Sequence, residues 1–172
     1  QKYNFDYRSL MPSNLFGPND NFGLKTSHVI PALMRKLHSG KMNNDSSVEL
    51  WGTGNPTREF LHVQDLVDAI MFVNSIPKET YTNIVQSEFP FLNVGTGHEI
   101  TIFNLAQRIS KIVGFEGNIN FNADFPDGTP RKVMNVDKLK GLGWKPKIKF
   151  TDGLTETFAW FQKNINNLRN LQ

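Results

Sequence analysis

Arg58 and Glu59 stand side by side just ahead of a short apolar run, Phe60 to His62, and Asp65 follows where a helical pattern begins. A guanidinium is a planar fork that can hold a diphosphate through two parallel hydrogen bonds. The same fork could instead close a salt bridge on Glu59 or Asp65. Trp51 offers an indole face to a ligand, or it packs into a core. Asp127 lies in the turn-rich run Pro126-Asp127-Gly128-Thr129-Pro130. It can accept hydrogen bonds from ribose or base, or simply serve the turn. Arg131, just beyond, could hold that loop or touch phosphate. Lys36 is two turns on from His28 along one predicted helix, so both can face a common cleft; the plain alternative is a surface lysine. Ser13 and Asn14 close a predicted strand, where doubly wound folds take their ligands.

The elements that must position these residues alternate between strand and helix. Tyr7 to Phe16 reads as a strand ending at Gly17-Pro18, with Asn19-Asp20-Asn21 as a turn. Ser27 is a candidate N-cap for a helix to about His38, with Ile30, Leu33, Met34 and Leu37 at helical spacing. Pro31 falls in its first turn, where a missing N–H is tolerated, and Gly40 is the expected stop. Val48 to Trp51 and Phe60 to His62 are short strands. Gln64 to Ser75 is a helix with Leu66, Val67, Ile70 and Val73 inward, and residues 76–88 are an irregular connection. Phe91 to Val94 is an apolar run of the buried parallel kind. Thr101 caps a helix to Val113, with Gly114 beyond its end. Ile119 to Phe121 is a strand and residues 124–131 a loop. Asp137 caps a short helix ending near Leu142, and Thr151 caps a last one with Leu154, Phe158, Phe161 and Ile165 on one face.

Composition narrows the classes. At 172 residues, the chain can build one core or belong to a larger fold. No apolar run approaches a membrane span, and Gln1 to Tyr7 are too polar for a secretory signal. A cytoplasmic protein without a membrane partner is expected, and the lack of a starting Met leads us to expect a chain that begins inside a longer product. The net charge of +3 is small, and Lys138 to Lys149 form only a mild basic cluster. No nucleic-acid module accompanies it, so no nucleic-acid partner is expected; a mildly positive cleft would suit a diphosphate. With Cys 0, disulfides and thiolate zinc sites are excluded. The histidines, at 28, 38, 62 and 98, show no metal-ligand spacing, so no metal is expected. His62, between strand and helix, suits a structural hydrogen bond; His38 reads as solvated near a helix end, and His98 as a turn residue.

Alternating strands and helices argue for α/β. A dinucleotide-binding sheet needs a first βαβ unit with a glycine-rich turn. Gly52-x-Gly54 and Gly95-x-Gly97 lack the third glycine and read better as turns. The sheet is therefore expected to be incomplete.

Four longer pieces occur in a telling order. They are Pro12-Ser13-Asn14-Leu15-Phe16-Gly17-Pro18-Asn19-Asp20-Asn21-Phe22, Ser27-His28-Val29-Ile30-Pro31-Ala32-Leu33, Trp51-Gly52-Thr53-Gly54-Asn55-Pro56-Thr57-Arg58-Glu59-Phe60-Leu61-His62-Val63 and Pro126-Asp127-Gly128-Thr129-Pro130-Arg131-Lys132. Together they resemble the GDP-L-fucose synthase family of the extended short-chain dehydrogenase/reductases, over nearly the whole chain, to about Gln162. The resemblance implies the C-terminal, substrate-binding part of such an enzyme plus the last strands and helix of its Rossmann sheet, with the N-terminal Rossmann part absent. Residues 1–18 and 63–95 would complete the Rossmann domain, 19–62 and 96–165 would form the sugar-nucleotide domain, and 166–172 would be a polar tail.

Enzymes of this family bind NADP(H), epimerise a GDP-4-keto-6-deoxy sugar at C3 and C5, and then reduce C4. Their catalytic Ser, Tyr-x-x-x-Lys and cysteine base lie upstream of the position matched by Gln1, so this chain alone is expected to be inactive. Both epimerised carbons flank a carbonyl, and inversion needs a base on one face and an acid on the other. Imidazole titrates near neutrality and can return the proton. By resemblance His28 is that acid; by position alone it is a polar residue near a helix cap. The resemblance also implies that Pro12, Ser13, Asn14 and Leu15, with His28, meet the nicotinamide half of NADP. It assigns Lys36, Trp51, Arg58 and Asp127 to the GDP-sugar and implies a homodimer. Phe16 stands for a usual Tyr, Ser13 for a usual Thr and Gln64 for a usual Asp, none at a catalytic position. Two other readings stay open at this point: a different extended short-chain nucleotide-sugar 4-epimerase or dehydratase, and a freestanding sugar-nucleotide binding module.

Overall fold

A computed structural model describes residues 5–23, 26–85 and 90–168. In chain order they form β1 (Ser9–Pro12), β2 (Asn14–Phe16), α1 (Val29–Met42), β3 (Ser47–Trp51), β4 (Thr57–Arg58), β5 (Phe60–His62), α2 (Val63–Ser75) and α3 (Lys78–Ile84). They continue with β6 (Phe91–Val94), β7 (Ile100–Thr101), α4 (Ile102–Val113), β8 (Asn118–Asn122), β9 (Arg131–Lys132), α5 (Asp137–Gly141), α6 (Phe150–Asn164) and a closing 3₁₀ turn, Ile165–Asn167. The architecture is α/β.

The first expected strand is two strands. β1 pairs in parallel with β6, while β2 pairs in parallel with β5. The chain changes partner at Ser13, whose N–H still donates to Val94 O at 2.9 Å, and Asn14 Nδ2 already donates to Glu59 O at 2.8 Å. β3 pairs in parallel with β8, and β4 lies between antiparallel β7 and parallel β9.

Among the described residues, the buried apolar side chains form two clusters. In one, Ile30, Met34 and Leu37 of α1 meet Leu105 and Ile109 of α4 and Leu154, Phe158 and Phe161 of α6. In the other, Ala69, Val73 and Tyr81 pack with Leu92 and Val94 of β6 and with Leu139 and Trp144. α4 shows how the sequence dictates an element. Asn104 N–H donates to Thr101 Oγ1 at 3.1 Å, the apolar face is buried, and Gly114 ends the helix in the left-handed region at φ 72.

Elsewhere the expectations need correction. His28, not Ser27, is the N-cap of α1, and its side chain makes no capping bond. The helix does not stop at Gly40 but runs to Met42; a Cβ on Gly40 would stand 2.6 Å from Val48 Cγ2, so this glycine serves close packing against β3. Asp65, Ala69 and Val73 form the buried face of α2, whereas Val67 and Ile70 are 44% and 48% exposed. Residues 78–84 of the expected irregular connection are helical. Asp137 and Thr151 lie inside the first turns of α5 and α6, behind N-caps Val136 and Lys149. Residues 169–172 of the expected tail lie outside the described residues.

Candidate functional site

A cleft of about 520 Å³ opens beside the point where the chain passes from β1 to β2. Four further segments wall it: the start of α1, the end of β3 with the following turn, β4, and the 126–128 loop. Ser13, Asn14, Leu15, His28, Trp51, Arg58 and Asp127 all line it. These seven come from five separate stretches of the sequence, and the fold brings them to one cavity of ligand size. Pro12 and Lys36 lie outside the lining; Pro12 closes β1 opposite Val94.

His28 is exposed at the mouth, at the N-cap of α1. Asp20 is its electrostatic neighbour. Burial pushes the Asp20 carboxyl up, while the Asn21 N–H, 2.7 Å from Oδ1, and the nearby His28 pull it down. Its other oxygen, Oδ2, is buried without a hydrogen-bond partner among the described residues.

Arg58 bridges neither Glu59 nor Asp65. Its Nη1 donates to Thr57 O at 2.8 Å and to Thr129 O at 2.6 Å, which ties β4 to the 126–130 loop. Glu59 is fully buried and accepts backbone N–H groups from Thr96, Gly97 and Met134. The Asp65 carboxylate accepts those of Lys147 and Ile148. The two expected acidic partners are thus engaged, and the guanidinium lines the cleft.

Asp127 accepts the Thr53 hydroxyl at 2.6 Å and the Thr53 N–H at 2.9 Å. These bonds hold its carboxyl below the ordinary range, with Arg58 adding to the effect. Gly52 permits the approach: its φ is +82, and a Cβ there would sit 2.3 Å from Asp127 Oδ1.

Trp51 does not pack into a core. It is 67% exposed and stacks on Phe125, with ring centroids 4.7 Å apart and planes within 13°. Lys36 Nζ stands 5.9 Å from the indole centroid, so the helix that begins at His28 also reaches the aromatic wall. Asp20, Thr53, Glu59 and Phe125 were not among the residues singled out as a site from sequence; only the spacing of Thr53 between two glycines hinted at a special turn.

Of the other histidines, His62 caps α2 by accepting Gln64 N–H at Nδ1. His38 is not simply solvated. It is half-buried against Phe158 and Phe161, and burial holds its imidazole below the usual range.

Residues 1–85 match the model of the NAD dependent epimerase/dehydratase family. The chain is similar to GDP-L-fucose synthases. It is 46% identical to GDP-L-fucose synthase 1 of Arabidopsis thaliana over 166 residues, 96% of this chain and 49% of that protein. It is 46% identical to GDP-L-fucose synthase of Escherichia coli (strain K12) over 169 residues, 98% of this chain and 53% of that protein. A GDP-L-fucose synthetase from Naegleria fowleri, solved with NADP, superposes with a TM-score of 0.81 at 29% identity, covering 94% of this chain and 48% of that one. The chain spans about half the length of the curated relatives it matches.

Proposed function

We propose that this chain is the C-terminal, sugar-nucleotide-binding part of an NADP-dependent epimerase-reductase that converts GDP-4-keto-6-deoxy-D-mannose to GDP-L-fucose. The convergence of His28, Arg58, Trp51 and Asp127 on one cleft carries this reading. Arg58 supplies the cation for the GDP diphosphate. Trp51, backed by Phe125, supplies a flat apolar wall, and Lys36 adds charge beside it. Asp127 supplies a carboxylate acceptor that its Thr53 bonds hold in place. His28, at the mouth of the cleft, returns a proton to the carbon beside the sugar carbonyl.

The stretch from Pro12 to Leu15 fits the nicotinamide half of NADP. Ser13 Oγ is buried without a hydrogen-bond partner among the described residues, and the stretch lies at the carboxyl end of a parallel strand, where doubly wound folds bind ligands. Bound NADPH would supply the hydride for the C4 ketone. In this reading, residues 1–18 and 63–95 complete the cofactor domain, the rest holds the sugar nucleotide, and the complete enzyme works as a cytoplasmic homodimer.

Fluorescence tests the cleft directly. GDP titrated into the chain should perturb the exposed Trp51 saturably, and the response should vanish in Trp51→Phe. A GDP response that survives this substitution, or no response at all, rejects the assignment.

A further inference from the structure

We infer that the chain carries a second ligand site, a cleft for phosphate-bearing small molecules on the opposite side of β4 from the first. This cavity measures about 1040 Å³ and lies between α4, the 146–150 segment and the 96–101 segment. Successive residues of a strand point to opposite faces: Thr57 lines this cleft and Arg58 the other, so the two cavities stand back to back, with Phe60 lining both.

Charge gives the ligand class. Arg108 and Lys111 lie on one face of α4, and Lys147 and Lys149 come from the facing segment. The cleft's acids are already engaged. Glu99 accepts Arg131 Nε at 2.8 Å and Thr57 Oγ1 at 3.1 Å. Both Asp65 oxygens accept backbone N–H groups, those of Lys147 and Ile148. Lys147 is neutralised by Asp68 at 2.8 Å. Arg108, Lys111 and Lys149 have no acidic partner within ion-pair distance among the described residues. These three cations outnumber Asp65, the lining carboxylate that has backbone N–H partners but no cation among the described residues, and the excess positive charge around one concavity focuses a field that attracts anions.

Two further features fit. Phe16, Phe60 and Phe150 form an aromatic floor, with the Arg108 guanidinium 6.0 Å from the Phe150 ring centroid. His62, itself buried, also lines the cleft; its Nδ1 accepts the Gln64 N–H, so a neutral ring carries its proton on Nε2. That nitrogen has no hydrogen-bond partner among the described residues, and Glu156 stands 3.7 Å away. Cations over an aromatic floor suit a phosphate group attached to a ring.

Calorimetric titration of inorganic pyrophosphate into the Arg58→Ala chain isolates this site, because that substitution removes the guanidinium of the first cleft. One saturable event is expected, and Arg108→Ala with Lys111→Ala should weaken it at least about tenfold. Lys111→Glu reverses a single exposed charge and should give the same loss should the double variant not fold. ADP in parallel separates the sources: tighter binding than pyrophosphate assigns the aromatic floor to a base, and equal binding assigns the cleft to a free anion. No pyrophosphate binding in Arg58→Ala, or binding unchanged by Lys111→Glu, overturns the inference.

Discussion

Glu59 Oε1 accepts the N–H of Gly97 at 2.8 Å and that of Thr96 at 2.5 Å, while Oε2 accepts Met134 N–H at 2.8 Å. This carboxylate is fully buried, and its partners are backbone dipoles, not a cation. It ties the strand that follows Arg58 to the 95–97 turn and to the chain just after β9. Glu59→Gln keeps the shape but turns an amide NH₂ toward N–H donors. It should cost about 2–3 kcal/mol, since buried donors left unmatched are expensive. Urea unfolding should show a lower midpoint at unchanged slope. A loss below about 0.5 kcal/mol, the range of ordinary surface substitutions, contradicts the role.

Arg58 performs two tasks that substitution can separate. Its Nη1 holds the Thr129 carbonyl, and the fork also lines the first cleft. Arg58→Ala should weaken GDP binding by roughly 1.5–3 kcal/mol, the worth of charge-assisted hydrogen bonds. Lysine should restore only part, because a point charge cannot make the bidentate contact. The unfolding midpoint without ligand should move far less. An unchanged GDP affinity with a large stability loss assigns Arg58 to the fold alone.

The sequence announced some of this and hid the rest, for physical reasons. α4 was legible because its cap, apolar stripe and terminal glycine agree. The split of residues 7–16 was not, because the change of partner at Ser13 leaves no mark on periodicity. Gly40 read as a stop, yet close packing against Val48 accounts for it equally well. In α2 two of the residues expected inward, Val67 and Ile70, are exposed, and an aspartate is buried because its carboxylate serves the 147–148 backbone. The residues lining the first cleft could be nominated singly from motifs. Their meeting in one cavity, and the Trp51–Phe125 stack within it, depend on tertiary contacts that no local pattern encodes.

Asp20 gives a pH-dependent test. Burial raises its carboxyl above the unfolded value, so the folded state favours the protonated form. The stability associated with that proton is fully present below the unfolded carboxylate pKa of about 3.9 and is lost as pH rises through the raised folded value. Above that window the ionised Asp20 is a burden. Asp20→Asn keeps the acceptor for Asn21 N–H and removes the charge. It should raise the melting temperature near pH 7 and lose that advantage below about pH 4. A lower melting temperature at neutral pH would mean that the ionised carboxylate stabilises the fold.

His28 provides the last test, in a full-length protein that includes these residues. It lines the first cleft from an N-cap position without using its side chain for the cap, so its imidazole is available for chemistry. His28→Asn should slow epimerisation by about 10²–10⁴-fold, the usual contribution of a positioned acid or base, and this loss should far exceed any change in NADPH affinity. Deuterium incorporation from solvent into the sugar reports the proton step itself, apart from reduction. Helix stability should hardly change, because asparagine is among the favoured N-cap residues. Unaltered deuterium uptake and product stereochemistry would return His28 to the role of a polar residue at a helix start.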